Sequence, residues 1–325
     1  MILTVTLNPS LDRTIDVDRI RIGAVHRGLR SRLDPGGKGV NVTRALRANG
    51  HRSLAVVPLG GPEGDQLARL LAAERVDVVR VPVEHPTRSN VAVAEADGNV
   101  TKFNEPGAPL APDELRTVLG HVVEHSAAGD WVVLCGSLPP GVPVEQYAAM
   151  VTWLRERGRR VAVDTSGEAL RLAVQAGPDL VKPNRHELGE VVGRELGTVA
   201  EVLDAAHQVH AAGVDHVVVS LGADGALLVG GGGPDLAGTS TVTDAVSSVG
   251  AGDAFLAGYL AALTLPDHPA ADPDQARERA FRTALAWGAA AVRLPGSRMP
   301  GPADIDLAVA DVLTSPDPQT PLASA

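Results

Sequence analysis

The chain has 325 residues, a formal charge of −10, 44% hydrophobic residues and only 2% aromatic ones. That balance excludes disorder over most of the length and argues against a general nucleic-acid binder, which needs a basic face; the single Cys135 excludes an intramolecular disulfide framework and any multi-cysteine metal site. No apolar run approaches the ~18 residues of a membrane span and the first residues carry no signal-peptide pattern, so a soluble, cytoplasmic protein without a membrane partner is expected.

A core of Val, Ala and Leu suits buried parallel strands. In chain order, the first strand is expected at Ile2–Leu7, and residues 13–34 then alternate polar and apolar without a helix. A helix follows at Gly39–Asn49, stopped by Gly50, then a strand at Leu54–Leu59 and a helix at Asp65–Glu74. Residues 88–104 alternate again, around the turn Asp97-Gly98-Asn99. Beyond them come helices at Asp113–Glu124, Val144–Arg157, Glu168–Ala176 and Val199–Ala211, set between strands at Trp131–Cys135, Val161–Asp164, Leu180–Lys182 and Val217–Leu221. A strand at Ala226–Val229 and a helix at Gly252–Leu263 complete the pattern; from Thr314 the chain is rich in Pro, Ser and Asp, and residues 314–325 read as a flexible tail. Strand–helix alternation predicts an α/β fold, one domain over residues 1–313 with a doubly wound, mostly parallel sheet whose ligands bind beyond the carboxyl ends of the strands. The two alternating segments predict a small projecting sheet of antiparallel strands, serving as a lid or a partner surface.

Gly250-Ala251-Gly252-Asp253 opens an apolar helix, so free N–H groups and small residues favour an anion there. A carboxylate on the same turn fits a base that takes the proton from a hydroxyl attacking phosphorus, although Asp in a first turn also serves as a helix cap. The G-x-G-x-x-G dinucleotide spacing fails, because Phe255 stands where its third glycine belongs, and no Walker loop exists, since Gly39 follows Lys38. Gly36-Gly37-Lys38-Gly39 is a second anion-friendly helix entry, with Asn41 one turn in. Asp12, ending the first strand, either holds sugar hydroxyls or closes an Asx turn. Asn184 and Glu187 are spaced to hold waters around Mg²⁺ or to form a capping box. Of 29 basic residues only Lys38, Lys102 and Lys182 are lysine, and two of these lie in the most patterned segments. Cys135 reads as core.

Eight segments in order resemble the ribokinase-like (PfkB) carbohydrate kinases, and among them the bacterial 1-phosphofructokinase and tagatose-6-phosphate kinase branch. They are TLNPSLD at Thr6–Asp12, PGGKGVN at Pro35–Asn41, TRSN at Thr87–Asn90, GSLPPGV at Gly136–Val142, DTSGEAL at Asp164–Leu170, KPNRHEL at Lys182–Leu188, SLGADGAL at Ser220–Leu227 and VGAGDAF at Val249–Phe255. The resemblance implies a phosphosugar kinase using ATP and Mg²⁺, with fructose 1-phosphate as acceptor and tagatose 6-phosphate or fructose 6-phosphate as the alternatives; a non-catalytic sugar-phosphate sensor is the other class. It implies Asp253 as base, with the amides of Gly250, Ala251 and Gly252 on the transferring phosphoryl group. Asp12, Gly37, Lys38, Asn41, Arg88, Asn90 and Ser137, with Arg27 from the lid, are implied for the phosphosugar. Lys182, Asn184, Ser220, Gly222, Gly225, Ser248, Gly250 and Gly252 are implied for ATP, and Glu187 with Asn184 for Mg²⁺ through water. The lid is further implied as a homodimer contact.

Overall fold

The computed structural model describes residues 1–265, 272–314, 316, 318–320, 322 and 323. Short β-branched runs form the strands and apolar stripes of helical period form the helices. The first half contains β1 (Ile2–Thr6), β2 (Ser10–Val17), β3 (Arg30–Gly36), α1 (Lys38–Ala48), β4 (Ser53–Leu59), α2 (Gly61–Ala73), β5 (Val78–Pro82), β6 (Arg88–Glu95), β7 (Val100–Phe103), α3 (Pro112–Glu124), β8 (Trp131–Cys135) and α4 (Gln146–Arg155). The second contains β9 (Arg160–Asp164), α5 (Gly167–Gln175), β10 (Leu180–Val181), α6 (Arg185–Val192), α7 (Val199–Ala211), β11 (His216–Ser220), β12 (Ala226–Gly230), β13 (Leu236–Ser240), α8 (Ala251–Leu263), α9 (Pro273–Val292) and β14 (Ala310–Thr314).

Ten strands form one sheet in the order β14-β13-β12-β11-β10-β9-β8-β1-β4-β5, parallel from β11 to β5 and antiparallel from β11 to β14. Side chains alternate between its two faces, as strand geometry requires. Leu3, Val5, Val132 and Leu134 pack in the core under α3–α7, whereas Ile2, Val133 and Cys135 pack with α1, α8 and α9. Helices α8 and α9 meet closely because Gly258 has no side chain: a Cβ there would lie 2.9 Å from Trp287 Cγ. Helix α9 is Ala-rich, and its low hydrophobic contrast hides it from a reading of periodicity.

Four strands form the second sheet, ordered β3-β2-β6-β7, over the two segments expected to be a lid. One expectation is corrected: β2–β3 and β6–β7 are antiparallel, but β2 and β6 pair in parallel, joining two hairpins whose paired residues, such as Ser10 and Arg88, lie 78 apart in sequence. Described residues of the tail contact the body. Thr314 closes β14 opposite Leu236, the carbonyls of Pro318 and Thr320 accept from Ala200 and Val199, and the Ala323 amide donates to Asp224 at 2.9 Å. The start of α7 offers free N–H groups, and the tail satisfies two of them.

Candidate active site

The amino ends of α1 and α8 converge at the carboxyl ends of β1, β8 and β9. Gly39 sits at that junction, where a Cβ would come within 2.5 Å of Thr6 Oγ1 and 3.3 Å of Cys135 Cβ. Gly250 is the N-cap of α8 in the left-handed region, at φ 79°, so Asp253 stands inside the first turn and does not cap it. Its carboxylate Oδ2 accepts a hydrogen bond from Asn41 Nδ2 at 2.8 Å instead. Burial, and then the neighbouring Asp164 charge, raise the Asp253 pKa to about 6 against the pull of Asn41, Lys38 and Lys182. A buried carboxyl poised near neutrality beside an anion-favouring turn can take a proton from a hydroxyl.

Asp164, read from sequence only as the start of a motif, is the hub of the site. It is buried at the end of β9, with Lys38 Nζ 2.7 Å from Oδ1 and Lys182 Nζ 3.2 Å from Oδ2. Burial pushes its pKa up, but the two lysines outweigh burial and hold it below the ordinary carboxylate range. Burial likewise opposes the Lys38 charge, and Asp164 and Glu187 override it, so the ammonium is retained. The signal that could have identified the hub was the rarity of lysine: two of three lysines share this carboxylate. Lys38 has a second carboxylate beside it. Its ion pairs are with Asp164, at 2.7 Å, and with Glu187, at 3.6 Å.

Asn184 and Glu187 form the capping box of α6: the Asn184 amide donates to Glu187 Oε2 and the Glu187 amide to Asn184 Oδ1, both at 2.8 Å. Asn184 also bridges Ser220 at the end of β11, where Gly222 and Gly225 turn the chain at φ 64° and 94°. The Ser248 carbonyl accepts from the Ala251 amide at 3.4 Å. On the lid side, Asp12 and Asn90 are register partners of β2 and β6, and Asn90 Nδ2 donates to Asp12 Oδ1 at 2.9 Å. Arg88 donates to the carbonyls of Asn8 and Glu105, while Asn8 reaches Ser137 Oγ at 3.1 Å and Gly37 turns into α1 at φ 113°. Arg27 is exposed between β2 and β3, and among the described residues no hydrogen bond or ion pair joins it to Asp12, Asn90 or Arg88. Cys135 is core, and burial pushes its thiol up.

The family model for pfkB family carbohydrate kinases matches residues 5–304. A 1-phosphofructokinase of Rhodobacter capsulatus is 45% identical over 81% of this chain and 84% of its own. The ATP-dependent 6-phosphofructokinase isozyme 2 of Escherichia coli is 37% identical over 92% of this chain and 94% of its own. The crystal structure of E. coli phosphofructokinase-2 with substrates and products superposes at a TM-score of 0.86 and 36% identity, covering 93% of this chain and 96% of that one. With its ribokinase-like sheet, its lid and a buried carboxylate at the glycine turn, the chain belongs to the pfkB family of carbohydrate kinases.

Proposed function

We propose that the enzyme transfers the γ-phosphoryl group of ATP to the free primary hydroxyl of fructose 1-phosphate, giving ADP and fructose 1,6-bisphosphate. The observation that carries this reading is Asp253, buried, hydrogen-bonded to Asn41 and raised to about 6 beside the Gly250–Gly252 turn. Asp253 takes the hydroxyl proton as the sugar oxygen bonds to the γ-phosphorus and the bond to the ADP oxygen breaks. The amides of Gly250, Ala251 and Gly252 meet the charge of the transferring group. Lys182, Asn184, Ser220, Gly222, Gly225 and Ser248 serve the nucleotide side. Asp12, Gly37, Asn41, Arg88, Asn90 and Ser137, with Arg27, serve the phosphosugar.

The oxygen donors of Asn184 and Glu187 suit Mg²⁺. Glu187 already spends one oxygen on its cap and faces Lys38 with the other, which favours contact through water over direct ligation. When bound, the ion would neutralise phosphate charge. The lid serves a homodimer, and the cytoplasm is the site of action; no helix among the described residues is long and apolar enough to cross a membrane. Fructose 6-phosphate is the second acceptor to consider, on the likeness to the E. coli 6-phosphofructokinase. ADP release measured with fructose 1-phosphate, fructose 6-phosphate, tagatose 6-phosphate and free fructose tests the reading. The highest kcat/KM is expected on fructose 1-phosphate, and free fructose at parity would overturn a phosphosugar kinase.

A further inference from the structure

Arg44 is buried in α1, three residues beyond Asn41 and so on the same helical face. Its guanidinium makes a two-pronged pair with Glu74 of α2, Nε to Oε2 and NH2 to Oε1, both at 2.7 Å. The remaining nitrogen, NH1, donates to Asn41 Oδ1 at 3.0 Å, to the Ser297 carbonyl at 2.9 Å and to the Pro35 carbonyl at 3.3 Å. Guanidinium has donors only, and a carboxylate has acceptors only. Asn41 lies between the two, with its carbonyl on Arg44 and its amide nitrogen on Asp253. Turning the amide over would set donor against donor at Arg44 and acceptor against acceptor at Asp253. Only one orientation of Asn41 is therefore compatible with both neighbours.

The same nitrogen reaches the segment behind the glycine turn. Ser297 precedes Met299 by two residues, and Met299 Cε lies only 2.6 Å from where a Cβ on Gly250 would be. One buried guanidinium thus connects α2, the start of α1, the proposed base and the support of the turn that opens α8. It lies one residue away from the reacting groups.

We propose that Arg44 is a positioning residue for phosphoryl transfer: it fixes the Asn41 amide so that Asn41 presents its N–H to the Asp253 carboxylate. This rests on the reading of Asp253 as the base. The charges that act on Asp253 are Asp164 of β9, Lys38 of α1 and Lys182 beyond β10, none of which Arg44 touches. Loosening Asn41 removes a hydrogen bond that favours the carboxylate, so the base holds its proton to higher pH.

The test is a double-mutant cycle of Arg44→Met and Asn41→Ala, with Arg44→Lys, Glu74→Gln and Asp253→Asn beside it. Arg44→Met should lower kcat about ten- to a hundredfold, the range of a lost hydrogen bond to a charged group, with both KM values within about threefold. The acid limb of kcat should move to higher pH relative to the parent, a comparison that cancels the phosphosugar's own ionisation. In the Asn41→Ala background Arg44→Met should cost almost nothing more, because the two act in series. Arg44→Lys, which keeps one donor, should recover part of the rate. Glu74 is half-exposed, so Glu74→Gln keeps the fold and carries the test if Arg44→Met does not fold; it should lower kcat severalfold with the same shift of the limb. Full multiplication of the two effects in the cycle, or an unmoved limb in Glu74→Gln, would overturn the proposal while leaving the base intact. Near-normal turnover of Asp253→Asn would instead overturn the base, and this proposal with it.

Discussion

Lys38 and Lys182 reach one buried carboxylate from different elements, and neither ion pair joins residues close in sequence. Two ammonium groups converge on Asp164 at the carboxyl end of β9, and Glu187 faces one of them. If Lys38, paired with Asp164 and Glu187, acts on the transferring phosphate and not on the one already on the sugar, Lys38→Met should lower kcat about tenfold or more, with KM for fructose 1-phosphate changed less than threefold, measured by steady-state ADP release. A tenfold rise in that KM at constant kcat would return Lys38 to the phosphate already on the sugar. The glycine loop around Lys38 was legible as an anion site from sequence. The partner of its lysine was not, since Asp164 lies 126 residues away and sits beside Lys38 only because β9 pairs with β8.

Among the elements, α1 and α8 contribute most to the site, because each brings an unsatisfied amino end and a polar side chain to the same crevice. Their glycine turns were visible in sequence; their meeting, through Asn41 and Asp253, was not. The lid shows the same division. Period-two alternation identified both of its hairpins, and the Asp97–Asn99 turn is closed as expected, with Asn99 Nδ2 donating to Asp97 at 2.9 Å. The parallel pairing of β2 with β6 depends on where the body of the protein carries the two hairpins, and alternation is blind to that. If the lid excludes water during transfer, deleting residues 97–99 should raise the ratio of ATP hydrolysis to sugar phosphorylation severalfold, measured as ADP against bisphosphate formed. An unchanged ratio at intact activity would assign these strands to contact alone.

Over the whole molecule, the most exposed large apolar side chains among the described residues are Ile22 and Val25, both in the connection between β2 and β3. Ile22, Val25, Leu29 and Phe103 of the two lid segments are each more than 60% exposed, as is Leu313 on the edge strand β14 of the main sheet. Exposed apolar side chains on the two lid segments suit a contact surface, and a second copy of this chain is the occupant proposed above. Sedimentation at micromolar concentration should give a dimer for the parent and a monomer for Ile22→Asp combined with Phe103→Asp. A parent that sediments as a monomer would confine the lid to its own active site.

By itself the sequence determined the fold class and the two segments of the small sheet, and it named candidate site residues, because periodicity, glycine turns and short polar motifs are local properties of the chain. It also left pairs of readings open where a local pattern served two purposes. The tertiary structure adds the local geometry: Asp253 does not cap its helix, and Asn184 with Glu187 does form a capping box. Asp164, the hydrogen bond from Asn41 to Asp253, the Arg44 connection and the docked tail were decided only by folding. Each depends on which strands become neighbours in the sheet or which helices converge on its edge. Those choices are made by burial of the whole core, and they leave no mark at the spacing of any motif.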